Sequence, residues 1–288
     1  MAETPAQLAA HRDHRRSWRD FLYVYPVISR RSRGVSIGVN LNPDKVCNFD
    51  CVYCEVDRKV PPRARNVDFT ILERELRAML ACWKSGDLFR DPPFFLAPPG
   101  ARRLNDIAFS GDGEPTAFGP FAEVCELVAR VKRETVGDSV KIVLITDAGG
   151  LDRESVKRGL KILDANQGEI WGKLDAGTEA YYRLVNRSNI RFDRILKNLE
   201  ETGKVRSICI QSLFLKVREK GPSEAEIAAY CGHLNRFKVA GCRITEVQAY
   251  TVARPTPEAW ATPLSPSELE KLASVIRAET GLKVGVYP

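Results

Sequence analysis

The chain has 288 residues, 44% hydrophobic and 28% charged, with a formal net charge of +7 and a sequence pI near 9.0. This length and composition are ordinary for a globular protein with a full core, in one large domain or two small ones. No apolar run approaches the roughly 18 residues of a membrane span, and the polar stretch Met1–Asp20 lacks the apolar core of a signal peptide, so the chain reads as cytoplasmic, with reduced thiols.

Much of the positive excess is near the start, at Arg12, Arg15, Arg16 and Arg19 and again at Arg30, Arg31 and Arg33. Such a cluster attracts phosphate and allows a nucleic-acid partner. It is equally a solvated arm, or a set of arginines paired with local carboxylates. Residues 1 to about 20 read as a polar helix or a loose arm. The aromatic run Phe21-Leu22-Tyr23-Val24-Tyr25 ends at Pro26 and suits an edge strand or a plug over a barrel end.

Val35 to Leu41 alternates apolar with small or polar residues, as a strand does, and leads to the segment Cys47–Cys54. Leu72, Leu76, Met79, Leu80 and Trp83 recur at helical spacing, and Gly86 stops them. Residues 90 to 104, with Pro92-Pro93, Pro98-Pro99 and Gly100, read as a surface loop. A second strand, Asp106–Ser110, is followed by Gly111-Asp112-Gly113-Glu114-Pro115 and a helix through Phe121, Val124, Cys125, Val128 and Val131. Lys141–Thr146 is apolar enough for a strand buried on both faces.

A helix through Val156, Leu160 and Leu163 precedes a fourth strand, Glu169–Asp175, and two helical pieces, Thr178–Leu184 and Phe192–Thr202. Ser207–Leu213 is a fifth strand. Ser223-x-x-Glu226 reads as a capping box for a helix that Gly241 ends. Arg243–Tyr250 is a sixth strand. After the proline-rich Pro255–Pro263, a second capping box with Pro266 at the first helical position opens a helix ending at Gly281. Lys283–Tyr287 suits a last strand. Strand–helix alternation implies parallel strands with right-handed crossovers, in an open sheet or in a barrel, complete or partial.

Cys47, Cys51 and Cys54 stand at spacing C-x3-C-x2-C, with Tyr53 before the third. Thiolates are soft ligands for iron–sulfur clusters and zinc. Three cysteines on a cubane leave one iron open to a substrate. A zinc site needs a second ligand pair, and His11, His14 and His233 have no matching spacing. A disulfide with one spare thiol requires an oxidising compartment. Cys82, Cys125 and Cys231 on helix faces and Cys209 in a strand read as small buried hydrophobes. Polar residues gather at the carboxyl ends of the strands, where parallel barrels place their sites: the glycine-rich Gly111–Glu114, Thr146-Asp147, Lys173 with Asp175, Gln211-Ser212, and Gln248, Tyr250 and Thr251.

The cysteine segment resembles the signature of the radical S-adenosylmethionine (radical SAM) superfamily, C-x3-C-x-aromatic-C. The resemblance implies an α/β fold, a partial (β/α)6 barrel over residues 35–254. A basic extension, 1–34, would precede it, and a helix and strand, 255–288, would follow. It also implies a [4Fe-4S] cluster on Cys47, Cys51 and Cys54. The open iron would bind S-adenosyl-L-methionine, whose reductive cleavage yields a 5′-deoxyadenosyl radical for hydrogen abstraction, and a one-electron reductant such as flavodoxin or ferredoxin would be the partner.

Tyr53 would lie against the adenine. Gly111, Asp112, Gly113 and Glu114 are similar to the family's Gly-Gly-Glu segment, with Asp112 in place of a glycine, and would receive the ammonium of the methionine moiety. Lys173 and Asp175 resemble the strand-four position that meets its carboxylate and ribose, although Asp175 equally suits a cap for the next helix. Gln211, Gln248 and Tyr250 would line the ligand or substrate side, or make structural hydrogen bonds.

Asn42-Pro43, Gly113–Thr116 and Leu174-Asp175-Ala176 resemble the wyosine-synthase-like group, which modifies a guanine in transfer RNA. That implies a tRNA substrate, but no cysteine precedes Cys47, so the group's second-cluster chemistry is not carried over. From another class, a zinc-stabilised nucleic-acid-binding module would use the same cysteines with the arginine-rich start.

Overall fold

The computed structural model describes residues 16, 18–29, 31 and 34–288. Arg12, Arg15, Arg30, Arg33, His11 and His14, and most of the expected N-terminal arm, lie outside the described residues. The elements in chain order begin β1 (Val24–Ser29), β2 (Gly34–Val39), α1 (Phe69–Ser85), β3 (Leu104–Phe109), α2 (Phe121–Thr135), β4 (Lys141–Thr146) and α3 (Glu154–Asp164). They continue with β5 (Gly168–Lys173), α4 (Glu179–Val185), α5 (Phe192–Val205), β6 (Ser207–Leu213), β7 (Leu215–Val217), α6 (Glu224–Val239), β8 (Arg243–Tyr250), β9 (Ala261–Pro263), α7 (Pro266–Thr280) and β10 (Val284–Tyr287).

The fold class is α/β, a partial barrel with mostly parallel strands, as expected. The chain forms two compact units. The first takes the described part of Met1–Val46 with Arg58–Leu144 and Arg153–Glu169. There β1 pairs antiparallel with β2, and β2, β3 and β4 follow in parallel. The second takes Cys47–Asp57, Ile145–Asp152 and Ile170–Pro288. There β5, β6, β8 and β10 run in parallel in that order, and β7 pairs antiparallel with β9 in a small separate sheet. Among the described residues no helix is long and apolar enough to cross a membrane.

Local chemistry accounts for these elements. Every residue of β2 is buried, as in a parallel strand covered on both faces. Pro26 does not end the aromatic run. It sits inside β1 opposite Ile37, where an edge strand tolerates a missing N–H. In α1 the Asp68 carboxylate caps the amides of Thr70 and Ile71, and Leu72, Leu76, Met79 and Leu80 are buried. Gly86, at φ 82°, closes the helix.

The structure departs from expectation in several places. The segment 90–104 is not a plain surface loop: it carries short 3-10 turns, and Phe94 is buried edge-on to Trp18 at 5.6 Å. The three-residue strands β7 and β9 are too short to show periodicity. The box at Ser223 is only half formed. Its side chain accepts from the Glu226 amide at 3.2 Å, but the Glu226 carboxylate turns to the Gly177 amide and the Thr178 hydroxyl. At Ser265 both halves of the box are present.

The hydrophobic stripe of α1 contains one carboxylate, Glu75, only 4% exposed. It accepts the amides of Leu22, Tyr23 and Val24 at 2.8, 2.9 and 3.2 Å, and so fixes the start of β1. Glu75→Ala removes the acceptor of three amides, two of them buried, and is expected to cost roughly 2–4 kcal/mol. Urea unfolding of both proteins measures this, and a loss below about 0.5 kcal/mol contradicts the assignment.

Candidate functional site

The cysteine segment lies in the second unit, held by the C-terminal end of α4. The last carbonyls of a helix lack intrahelical donors. Here the Asp50 amide donates to the Asn186 carbonyl at 3.1 Å and the Val52 amide to the Val185 carbonyl at 2.9 Å. Val52 and Tyr53 are buried with Val185, Leu213, Leu215, Val252 and Ala261. Arg254 pairs with Glu55 at 2.6 Å. Arg187 reaches Glu258 at 2.7 Å and Asp50 at 3.8 Å.

Cys47, Cys51 and Cys54 are half-buried and form no disulfide. The Phe49 amide donates to Cys47 Sγ at 3.5 Å and Asn186 Nδ2 to Cys51 Sγ at 3.6 Å. Burial pushes the Cys51 thiol up to about 12, against the pull of Lys173. Among the described residues no group of three or more His, Cys, Asp and Glu side chains is arranged to hold a metal ion.

The ends of β5 and β8 bring Lys173, Asp175 and Tyr250 to the cysteine segment. The Asp175 side chain is 1% exposed. It accepts from the Tyr53 hydroxyl, from Asn186 Nδ2 at 3.0 Å, from the Leu213 amide at 2.8 Å and from Lys173 Nζ at 3.4 Å. Lys173 Nζ donates to the Tyr250 hydroxyl at 2.7 Å and lies 5.1 and 5.3 Å from the Tyr53 and Tyr250 ring centres, in cation–π range. Burial works against the Lys173 charge, but Asp175, Tyr250 and Cys51 outweigh it and raise its pKa. Burial first, then Asp175, pushes the Tyr53 phenol well above its ordinary value.

Asp175 does not cap the following helix. Thr178 does, accepting from the Tyr181 amide at 3.2 Å. Gln211 Nε2 donates to Gln248 Oε1 at 3.2 Å, and Gln248 Nε2 to Glu246 Oε1 at 3.1 Å, so both glutamines make structural hydrogen bonds. Asn186 escaped sequence reasoning. It follows a helix with no motif, and only the fold brings it to Tyr53, Asp175 and Cys51. Glu226 escaped too, hidden by its capping-box spacing.

Gly111–Glu114 belongs to the first unit. A Cβ on Gly111 would stand 2.3 Å from Asn40 Oδ1, and one on Gly113 2.2 Å from the Val46 carbonyl. Both positions therefore require glycine for close packing. Asp112 accepts from Asn40 Nδ2 at 2.8 Å and pairs with Arg16 at 3.2 Å. The buried Glu114 carboxylate accepts from the Thr116 amide and hydroxyl at 2.9 and 2.5 Å.

No protein-family model matches the chain. It is 24% identical over 266 residues to the GTPase Obg of Brachyspira hyodysenteriae, covering 91% of this chain and 34% of that protein. It is 27% identical over 176 residues to a UPF0026 protein of Methanocaldococcus jannaschii, covering 60% and 47%. With a UPF0026 protein of Helicobacter pylori it shares 26% over 236 residues, covering 80% and 66%. The chain thus spans about a third of the first relative's length and about half of the second's.

Among solved structures, Streptococcus suis SuiB bound to S-adenosylmethionine superposes at a TM-score of 0.54, with 13% identity over 90% of this chain and 49% of that chain. Native anSMEcpe with bound AdoMet gives 0.52 and 18%, over 87% and 63%. Archaeal TYW1 gives 0.50 and 15%, over 86% and 73%. At these identities the shared property is the fold.

Removing Asp175 strands a buried ammonium. Asp175→Ala is expected to destabilise the protein by about 3–5 kcal/mol, the range for breaking a buried pair from one side. Lys173→Met in the same chain should recover part of that loss, because the unpaired charge goes with it. Denaturant unfolding of the two single variants and the double variant closes the cycle, and strict additivity contradicts the pairing.

Proposed function

We propose that this chain is a radical SAM enzyme, with Cys47, Cys51 and Cys54 as ligands of a [4Fe-4S] cluster. The observation that carries the reading is the cysteine segment itself. Its three thiols form no disulfide and are half-buried, two receive N–H donors, and its backbone is pinned to a helix end. Donors aimed at sulfur are what a thiolate-held cluster requires of its surroundings. That SuiB and anSMEcpe, of the same fold, bind S-adenosylmethionine supports the reading.

When bound, the cluster supplies one electron, and S-adenosylmethionine supplies the carbon–sulfur bond that this electron breaks, for hydrogen abstraction from a substrate. The chain's own residues bind and orient. Lys173, 16% exposed, offers the cation for the methionine carboxylate. Asp175 already faces four donors, about as many as its two oxygens can accept, so we assign it the positioning of Lys173 and Tyr53 in place of a ribose contact. Tyr53, buried and bonded to Asp175, anchors the segment between Cys51 and Cys54. The Gly111–Glu114 segment keeps its proposed role toward the ammonium on resemblance, through its backbone carbonyls.

Anoxic reconstitution with iron and sulfide tests this. The expected result is about four irons and four sulfides per chain, charge-transfer absorbance in the visible, and 5′-deoxyadenosine from S-adenosylmethionine and dithionite. Cys51→Ala should lose both cluster and cleavage. One tightly held zinc per chain with no iron uptake would overturn the assignment in favour of the zinc-stabilised module.

A further inference from the structure

Asn186 is 1% exposed and stands at the C-cap of α4. Its backbone is already fully used: the amide donates to the Tyr182 carbonyl at 2.8 Å, and the carbonyl accepts from Asp50 at 3.1 Å. Helix termination therefore does not require the side-chain amide. That amide has two hydrogens and faces three acceptors: Asp175 Oδ2 at 3.0 Å, the Tyr53 oxygen at 3.2 Å and Cys51 Sγ at 3.6 Å. The Tyr53 proton goes to Asp175, which leaves its oxygen free to accept.

The shortest contact, to a carboxylate, takes one hydrogen. The other is directed to the Tyr53 oxygen and the sulfur. The carboxylate thus holds the amide, and the amide presents a donor to Cys51. A neutral thiol is a weak acceptor. A metal-bound thiolate carries more negative charge and makes the same contact a charge-assisted one.

Resting on the cluster reading above, we infer that Asn186 is a positioning residue that sets the reduction potential of the cluster through its N–H donor to Cys51. Reduction adds negative charge to the cluster and its thiolates. A donor at sulfur stabilises the reduced form more than the oxidised form and so raises the potential. The same contact holds the Cys51 side chain in place before loading. Sequence spacing does not reveal this role, because the asparagine lies 135 residues from its cysteine.

Asn186→Leu removes the donor with a branched but larger apolar side chain, and Asn186→Ala removes it without overpacking. The full-length wild type and both variants are reconstituted anoxically, and the cluster is titrated with dithionite under electron paramagnetic resonance. Iron extraction by a chelator is followed alongside, and apo-protein melting serves as the structural control. The expected result is a lower reduction potential in both variants and faster iron loss, with the far-UV circular dichroism of the apo-protein unchanged.

If Asn186→Leu loses the fold, Asn186→Ala decides. Wild-type potential and wild-type chelator kinetics in a folded variant overturn the inference and leave the cluster assignment standing. A wild-type chain that takes up no cluster overturns both.

Discussion

A carboxylate shut away from water must find its donors inside the protein. At Asp175 that constraint organises the candidate site. Its donors come from four different places: Tyr53 in the cysteine segment, Leu213 at the end of β6, Asn186 beyond α4 and Lys173 at the end of β5. Satisfying one buried charge therefore draws together segments that are far apart in sequence. The desolvation penalty, several kcal/mol per ion, is offset only when all of them are in place. A polar network of this kind is costly when half made, and it fixes one arrangement when complete.

The cysteine segment depends on that arrangement more than on its own conformation. It contains no helix or strand. Its order comes from the carbonyls at the end of α4, from the apolar packing of Val52 and Tyr53, and from the pairs Arg254–Glu55 and Arg187–Asp50. A solvent-exposed pair such as Arg187–Asp50 contributes little. The burial of Val52 and Tyr53 and the hydrogen bonds to a helix end outweigh it. The two residues between Cys51 and Cys54 are thus an anchor, and the thiols on either side are left half-exposed.

The sequence shows the elements and the cysteines far better than it shows the network. Lys141–Thr146, Ser207–Leu213 and Arg243–Tyr250 match their strands residue for residue; the first is the near-continuous apolar run of a strand covered on both faces, and the other two carry apolar residues at alternate positions. Lys173 and Tyr250 are visible as polar strand ends. Their sharing of one ammonium is not, since contact across strands leaves no spacing in the chain. Glu226 shows the limit of a local rule. Its distance from Ser223 fits a capping box, but the buried amide of Gly177 and the half-buried Thr178 compete for the same carboxylate and win. Burial raises the cost of leaving those groups unpaired above that of leaving the exposed N-cap amide to water.

Lys173 is the residue at which stability and the proposed chemistry meet. Two tyrosine rings and a carboxylate keep it charged in a mostly buried place. Loss of its proton would leave Asp175 without the cation that faces it. The folded-state pKa is raised. The stabilising contribution is therefore complete below the ordinary lysine range, near 10.4, and is lost only as pH climbs through the raised value. An anion arriving at Lys173 meets a cation already desolvated and oriented, so the cost of arranging it falls on folding and not on binding. The same logic applies at Cys51, where the Asn186 donor is set before any ligand arrives. In both cases Asp175 holds the group in place.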